Sequence, residues 1–322
     1  IIPVVAICVV YYYQEERDIP KMNNYLKKVK LKGNESFNIR EGWLRKGMRS
    51  VNEYPNLFSR SDVMEILGVG SKMVKSIRYW LQATDLCEEK INGQNRARQQ
   101  FVTENFGRII EQYDPYFDDV FTLSLLHYHI VSNKHELCTM WNIFFNEYEG
   151  ENFTRDNMYE TCEEYLKKRL GQGVTYSSNS LRDDCASIIR MYQEADRNSD
   201  PEDNLGSPLS ELGLIKKNNR GNYDKCIPSK EVLNKYAIIY VIKDNLSEDK
   251  NSVSIAELWK APNNIGRVFN LNRSIINEYL DQLRAINLIT INRTAGLDMV
   301  YVTTDKSVED IMREYYEKTQ ER

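Results

Sequence analysis

The residues best suited to chemistry are carboxylates that crowd one part of the chain. Asp114, Asp118 and Asp119 lie close together in sequence, and Glu35 lies in a basic stretch nearer the start. Nucleases often hold Mg²⁺ with a few acidic oxygens, because the ion offsets phosphate charge and activates water. Negative charge is also favoured where helices begin, so we favour helix capping over metal binding for the three aspartates. These four residues are the candidate catalytic groups, the metal ligands remain unassigned, and Mg²⁺ or Mn²⁺ is the candidate cofactor.

A second set of candidates is cationic. Lys72, Lys75 and Arg78 lie three residues apart after a glycine-rich turn, and the basic segment Asn92–Arg98 follows. Such cations suit contact with phosphates and base edges, although a charged helix can also simply face solvent. We favour DNA contact because a turn precedes the cations and a basic loop follows them. The candidate DNA-binding residues are Lys72, Lys75, Arg78, Tyr79, Arg96, Arg98, Arg40, Arg45 and Lys46.

The elements around these cations are predicted to be two helices and a hairpin. One helix ends at Leu67, Gly68-Val69-Gly70 breaks it, and a second helix begins near Ser71 with apolar residues at helical spacing. Segments 86–90 and 99–103 then have strand character. This is the winged-helix order, in which the second helix enters the major groove and the hairpin contacts the DNA backbone. Trp80 is assigned to the core rather than to a stacking surface, because it falls on the apolar side.

The same order of elements recurs nearer the end of the chain. Helices are predicted from Lys235 to Leu246, from Ala256, and after Asn272, with a short strand between the first two. A hairpin is predicted at 288–291 and 299–303. The last of these helices is less basic than its counterpart, because acidic residues offset its arginines.

The predicted fold class is mainly α with small β-hairpin wings. Two winged-helix (helix-turn-helix) domains flank a helical middle domain, in which the stretch from 112 to 225 is helical and acidic. The predicted parts are an N-terminal arm with a basic helical segment at 1–57, a winged-helix domain at 58–111, the middle domain at 112–225, a second winged-helix domain at 226–306, and a C-terminal tail at 307–322.

Composition limits the classes of function. The net charge is −4, from 43 Lys and Arg against 47 Asp and Glu, so any DNA contact requires a local basic face. The six cysteines form no C-x-x-C pair, and their scatter fits reduced thiols in a cytoplasmic protein. The apolar run Ile1–Tyr13 is shorter than the roughly 20 residues of a spanning helix and is predicted to be a strand or a docked arm. His127 and His129 would point to different faces of a helix, which argues against a shared metal. We expect no organic cofactor and no membrane association.

Several strings, in order between about Leu31 and Val302, resemble a bacterial family named domain of unknown function 4007. One departure is Asn34, where the family is expected to carry histidine. The strings are Gly33–Phe37, Arg40–Gly47, Leu67–Val74, Ser76–Trp80, Asp114–Tyr116, Leu125–His127, Phe144–Asn146, Ser207–Leu209, Gly266–Phe269 and Thr294–Leu297.

The resemblance implies a function that the residue spacing alone does not. The family looks like the SspB component of the Ssp DNA phosphorothioation system, which replaces a phosphate oxygen with sulfur and defends against phage. The implied role is nicking one strand of double-stranded DNA, beside an ATPase, a cysteine desulfurase and a sulfur-inserting enzyme. The alternative is a non-catalytic winged-helix DNA-binding adaptor or a transcriptional regulator, which needs only the two predicted winged helices.

Overall fold

Helices dominate the structure, a computed structural model that describes residues 26–91, 98–194, 206–247, 249–294 and 297–320. The Ile1–Tyr13 segment and Arg96 lie outside these residues. The helices are α1 Trp43–Glu53, α2 Val63–Leu67, α3 Ser71–Ala83, α4 Gly107–Tyr113, α5 Val120–Ser132, α6 Thr139–Asn146, α7 Arg155–Arg169, α8 Ser178–Tyr192, α9 Lys235–Asp244, α10 Ile255–Lys260, α11 Ile265–Val268, α12 Arg273–Ala285 and α13 Val308–Gln320.

Three small antiparallel sheets accompany the helices. The strands pair in the orders β1-β2, β3-β5-β4 and β6-β8-β7. Together with the helices they confirm the prediction of a mainly α fold with β-hairpins. The strands are β1 Cys87–Ile91, β2 Arg98–Val102, β3 Asn152–Phe153, β4 Ile215–Lys217, β5 Tyr223–Lys225, β6 Ser252–Ser254, β7 Ile289–Thr294 and β8 Leu297–Val302.

Both predicted hairpins form close to their predicted positions. In the N-terminal helix–hairpin unit, residues 57–102, Cys87 pairs with Val102 in the β1–β2 ladder. In the C-terminal helix–hairpin unit, residues 235–302, Ile289 pairs with Val302 in the β7–β8 ladder. Asn272 caps α12 as expected, with its Oδ1 accepting a hydrogen bond from the Ile275 amide at 3.0 Å.

The middle of the chain is not wholly helical, contrary to the sequence prediction. Strand β5 joins β3 and β4, and the rings of Phe153 and Tyr223 pack with centroids 5.7 Å apart. The side chain of Asn152 also donates a hydrogen bond to Asp224 at 2.5 Å. Strands of two and three residues can form here because side-chain packing, rather than ladder length, holds them.

The segment predicted as a C-terminal tail is a packed helix. Ile311, Met312, Tyr315 and Tyr316 are buried on one side of α13, which contacts α9 and α4. Their spacing at i, i+1, i+4 and i+5 forms one apolar stripe, which removes these side chains from water. Helix α13 therefore belongs to the core.

The buried hydrophobic side chains form one cluster that runs from Ile39 to Tyr316. His127 lies inside it, with Nδ1 2.8 Å from the Tyr192 hydroxyl and Nε2 2.7 Å from the Val268 carbonyl. Burial lowers the pKa of His127 to about 4, so this histidine is a neutral structural group. Within the described ranges, no helix combines the length and the apolar character that membrane crossing requires.

Candidate functional site

Helix α1 packs closely on α3 at Gly47, which has no side chain to separate the two helices. A methyl group built on Gly47 would come within 2.9 Å of side-chain atoms of Ile77 and Leu81, so the two helices approach closely there. Trp43, Leu44 and other apolar residues of α1 are buried against this contact. The opposite side of α1 is left for its charged residues.

We call four cations at this place the basic edge: Arg45, Lys46 and Arg49 of α1, and Lys72 of α3. All four are exposed. The Lys46 ammonium lies beside the turn before α3, since a methyl group on Gly68 would be 3.1 Å from Nζ. Among the residues that the structure describes, no carboxylate forms an ion pair with any of the four. The basic edge therefore keeps its positive charge available to a partner.

Other predicted DNA contacts already have partners. Lys75 pairs with Glu35 at 3.5 Å. Arg78 pairs with Glu89 through Nε at 3.0 Å, and Arg98 reaches the other oxygen of the same carboxylate at 3.1 Å. One acidic side chain thus partly offsets two of the predicted DNA-contacting arginines.

Arg40 and Glu35, two further candidates, both lie near the start of the described chain. The Arg40 guanidinium lies 5.6 Å from the Phe37 ring centroid and 5.4 Å from that of Trp43. Glu35 has a positive φ of 50° and faces Lys75 rather than the aspartates. The structure therefore does not bring Glu35 together with the other candidate catalytic residues.

Tyr79 is buried, contrary to what the prediction of a DNA-contacting residue requires. Its side chain is 6% exposed, and its hydroxyl donates to the Leu137 carbonyl at 2.9 Å. Gly33 packs against the ring, because a methyl group there would lie 2.5 Å from Cε2. Tyr79 falls on the side of α3 that faces the middle of the chain. Trp80 is fully buried, which confirms its assignment to the core.

Asp114, Asp118 and Asp119 come together around one surface depression of about 390 Å³. We call it the carboxylate depression. Glu35 is not among its lining residues. The depression is lined by Tyr113, Asp114, Asp118, Asp119, Val120, Tyr316, Thr319 and Gln320.

Two of these aspartates organise the start of α5. Asp114 accepts hydrogen bonds from the backbone amides of Asp118 and Asp119 at 3.0 and 3.1 Å, and from the Thr122 hydroxyl. Asp119 accepts from the Phe121 amide at 2.8 Å. Burial raises the pKa of Asp114, and the three hydrogen bonds oppose that rise. The capping interpretation is confirmed for Asp119, which is the N-cap residue of α5.

The carboxylate depression does not match the ligand set of a metal ion. No group of three or more His, Cys, Asp or Glu in the described part of the chain is arranged to hold one. Asp114 and Asp119 are committed to hydrogen bonds, and Asp118 alone is exposed. A hard cation such as Mg²⁺ prefers several oxygen ligands around one point.

Three features of this region were not predicted from the sequence. Tyr116 is 57% exposed, and the Arg45 guanidinium lies 3.9 Å from its ring centroid. Glu89 balances two arginines, although nothing in its strand context indicates that pairing. Asn34 is buried, and its Oδ1 accepts from the Ser36 amide at 3.1 Å, so it acts within its own turn.

Comparisons with known proteins agree on the fold and the family. No curated protein matches the chain. A magnesium ion-bound SspB crystal structure is similar with a TM-score of 0.82 and 24% identity, covering 94% of this chain and 92% of that one. A second SspB crystal structure gives a TM-score of 0.80 and 24% identity, covering 93% and 91%. The family model described as "Protein of unknown function (DUF4007)" matches residues 31–316, so the chain belongs to that family.

Proposed function

We propose that this chain is the DNA-binding component of a bacterial DNA phosphorothioation system. The observation that carries the proposal is the basic edge, a set of exposed cations without carboxylate partners in the described residues. Such cations can replace the counterions of DNA phosphates, even though the net charge of the chain is −4. The SspB-like fold supports the choice of system.

The element order supports binding through winged-helix domains. In the N-terminal helix–hairpin unit, α3 would enter the major groove and β1–β2 would lie along the backbone. The basic edge lies beside the turn before α3, where phosphate contacts would fix the register of the duplex.

The C-terminal helix–hairpin unit contributes less charge in this proposal. Arg273 pairs with Asp298 at 2.8 Å, and Arg284 pairs with Asp281 at 3.0 Å. We therefore assign the main phosphate contacts to the N-terminal unit.

Salt-dependent DNA binding tests the proposal. Replacing Lys46 and Lys72 by alanine should weaken binding to a labelled duplex in fluorescence anisotropy. It should also lower the slope of log affinity against log salt by about 2, roughly 0.9 for each phosphate that is no longer neutralised. Lys168→Ala is the control, because Lys168 is exposed on α7 and paired with Glu164. An unchanged slope in the double variant would remove the basic edge as the DNA-binding surface.

Strand nicking is a second candidate function. Three aspartates line the carboxylate depression, although in the described residues they do not by themselves complete the ligand set of a metal ion. Purified protein is incubated with supercoiled plasmid and Mg²⁺ or Mn²⁺. The expected result is open-circle product that Asp118→Asn abolishes and Asp156→Asn, at an exposed position on α7, does not. Absence of product from the wild-type chain would leave the adaptor role.

A further inference from the structure

Tyr116 and Arg45 form an exposed aromatic–guanidinium pair near the carboxylate depression. Tyr116 is 57% exposed, whereas most large apolar side chains of the chain are buried. The guanidinium lies 3.9 Å from the ring centroid. Tyr116 is two residues from Asp114 and two from Asp118, both of which line the depression. The pair therefore presents a flat, exposed surface that is adjacent in sequence to two of the candidate catalytic residues.

The turn that carries Tyr116 is fixed from both sides. Phe117 has a φ of 62° and is buried, although a bulky side chain rarely adopts the left-handed region. The carboxylate of Asp114 binds the amides of residues 118 and 119. With Phe117 held inside, Tyr116 is directed into solvent. Strained backbone of this kind persists where the surrounding structure determines it and is often found at binding sites.

The charges around the pair match the parts of a nucleotide. Arg45 and Arg49 are four residues apart on α1 and share one side of the helix, and Lys46 lies between them. These cations suit phosphates, whereas the aromatic ring suits the face of a base. The carboxylates of the depression would repel phosphate oxygens but accept hydrogen bonds from exocyclic amino groups.

We infer that Tyr116 and Arg45 are a stacking site for an unpaired nucleobase of DNA. The inference rests on the proposed DNA binding and adds the substrate class: a strand with a base outside the duplex stack. The base lies on Tyr116 and the flanking phosphates lie along the basic edge. An unpaired base leaves the stack at little cost, so the site selects DNA that is locally open.

Binding of two matched duplexes tests this inference with the full-length chain. One duplex is intact, and the other has a one-nucleotide gap opposite a 2-aminopurine. We expect Tyr116→Ala to weaken binding to the gapped duplex by about 10-fold, within the range of base–aromatic stacking, and to change binding to the intact duplex by less than about 2-fold. The wild-type chain should quench the 2-aminopurine emission, and Tyr116→Ala should not. Tyr116→Trp is the control that restores both the affinity and the quenching.

The outcomes separate this inference from the proposed function. If the wild-type chain binds neither duplex, both proposals are wrong. If it binds both duplexes and Tyr116→Ala has no effect, or the same effect on each, only the stacking site is wrong. Because Tyr116 is exposed, the thermal unfolding of Tyr116→Ala should match that of the wild-type chain, which excludes misfolding as the cause of any weaker binding.

Discussion

Asp184 is a buried side chain whose surroundings favour the protonated, uncharged form of its carboxyl group. Its side chain is 3% exposed, and both oxygens lie 3.1 Å from the Lys32 amide. Burial raises the pKa of Asp184 from 3.8 to about 7, although the Lys32 hydrogen bond opposes the rise. Between these two pH values the folded chain keeps a proton that the unfolded chain has released. The contribution of Asp184 to stability therefore falls as the pH rises from about 4 to about 7.

Replacing Asp184 by asparagine should remove this dependence. The amide oxygen can still accept the Lys32 hydrogen bond, but the variant has no charge to bury. We expect the melting temperature of the variant, relative to the wild-type chain, to rise by several degrees between pH 4 and pH 8. Thermal unfolding across that range measures it, with the exposed Asp156→Asn as control. A constant difference between variant and wild type at all pH values would contradict the prediction.

Glu89 of strand β1 reduces the positive charge of α3, the helix that is predicted to enter the major groove. Glu89 holds Arg78 of α3 and Arg98 of β2 through its two oxygens. The hairpin is thereby tied to the helix, and both guanidinium groups are partly neutralised. A strand residue therefore sets how strongly α3 and the hairpin attract phosphates.

Glu89→Gln should strengthen DNA binding. Removing the carboxylate frees two guanidinium groups, so affinity at low salt should rise several-fold and the salt slope should steepen by up to about 2. Fluorescence anisotropy at several salt concentrations measures both quantities. Glu88→Gln is the matched control, because Glu88 is on the same strand and, among the described residues, its ion pair is with Lys90. Weaker binding by Glu89→Gln would show that the tie between hairpin and helix matters more than the added charge.

The elements that the sequence predicted well are those in which apolar residues recur at a regular spacing over many positions. Helices α3, α9 and α12 and the two hairpins follow from spacing that many residues share. Strands β3 and β4 gave no such signal, because two or three residues define no period. The burial of Tyr79 and the pairing of Glu89 depend on neighbouring elements that pattern alone does not position. The aspartates were found by residue type, whereas Tyr116 was missed because one aromatic in a turn carries no pattern.

Helix α13 contacts helices from both halves of the molecule. Side chains of α13 pack on α9 from the C-terminal half and on α4 from the N-terminal half. Tyr315 also donates to Asp119 at 2.9 Å, and Tyr316 lines the carboxylate depression. Weaker packing of α13 should therefore destabilise parts of the fold that are far from α13 in sequence.

Ile311→Ala tests that connection. Ile311 is fully buried, so the truncation should lower the free energy of unfolding by about 2–5 kcal/mol. Urea unfolding is followed by far-ultraviolet circular dichroism, which reports on all helices, and by the fluorescence of the four tryptophans Trp43, Trp80, Trp141 and Trp259, which lie outside α13. We expect one transition at lower urea, while Gln320→Ala, at an exposed position, leaves it unchanged. A separate early transition that spares these tryptophans would mean that α13 unfolds by itself.

The anchoring of α3 has a consequence for where DNA would be cut. The Tyr79 hydroxyl donates a hydrogen bond to the Leu137 carbonyl, and the rings of Trp80 and Trp141 pack edge to face with their centroids 5.5 Å apart. These contacts join α3, the helix that would sit in the groove, to the segment 137–141. If the proposed nicking takes place, we expect it at a constant number of base pairs from the DNA segment that α3 binds, because α3 is joined to the middle of the chain.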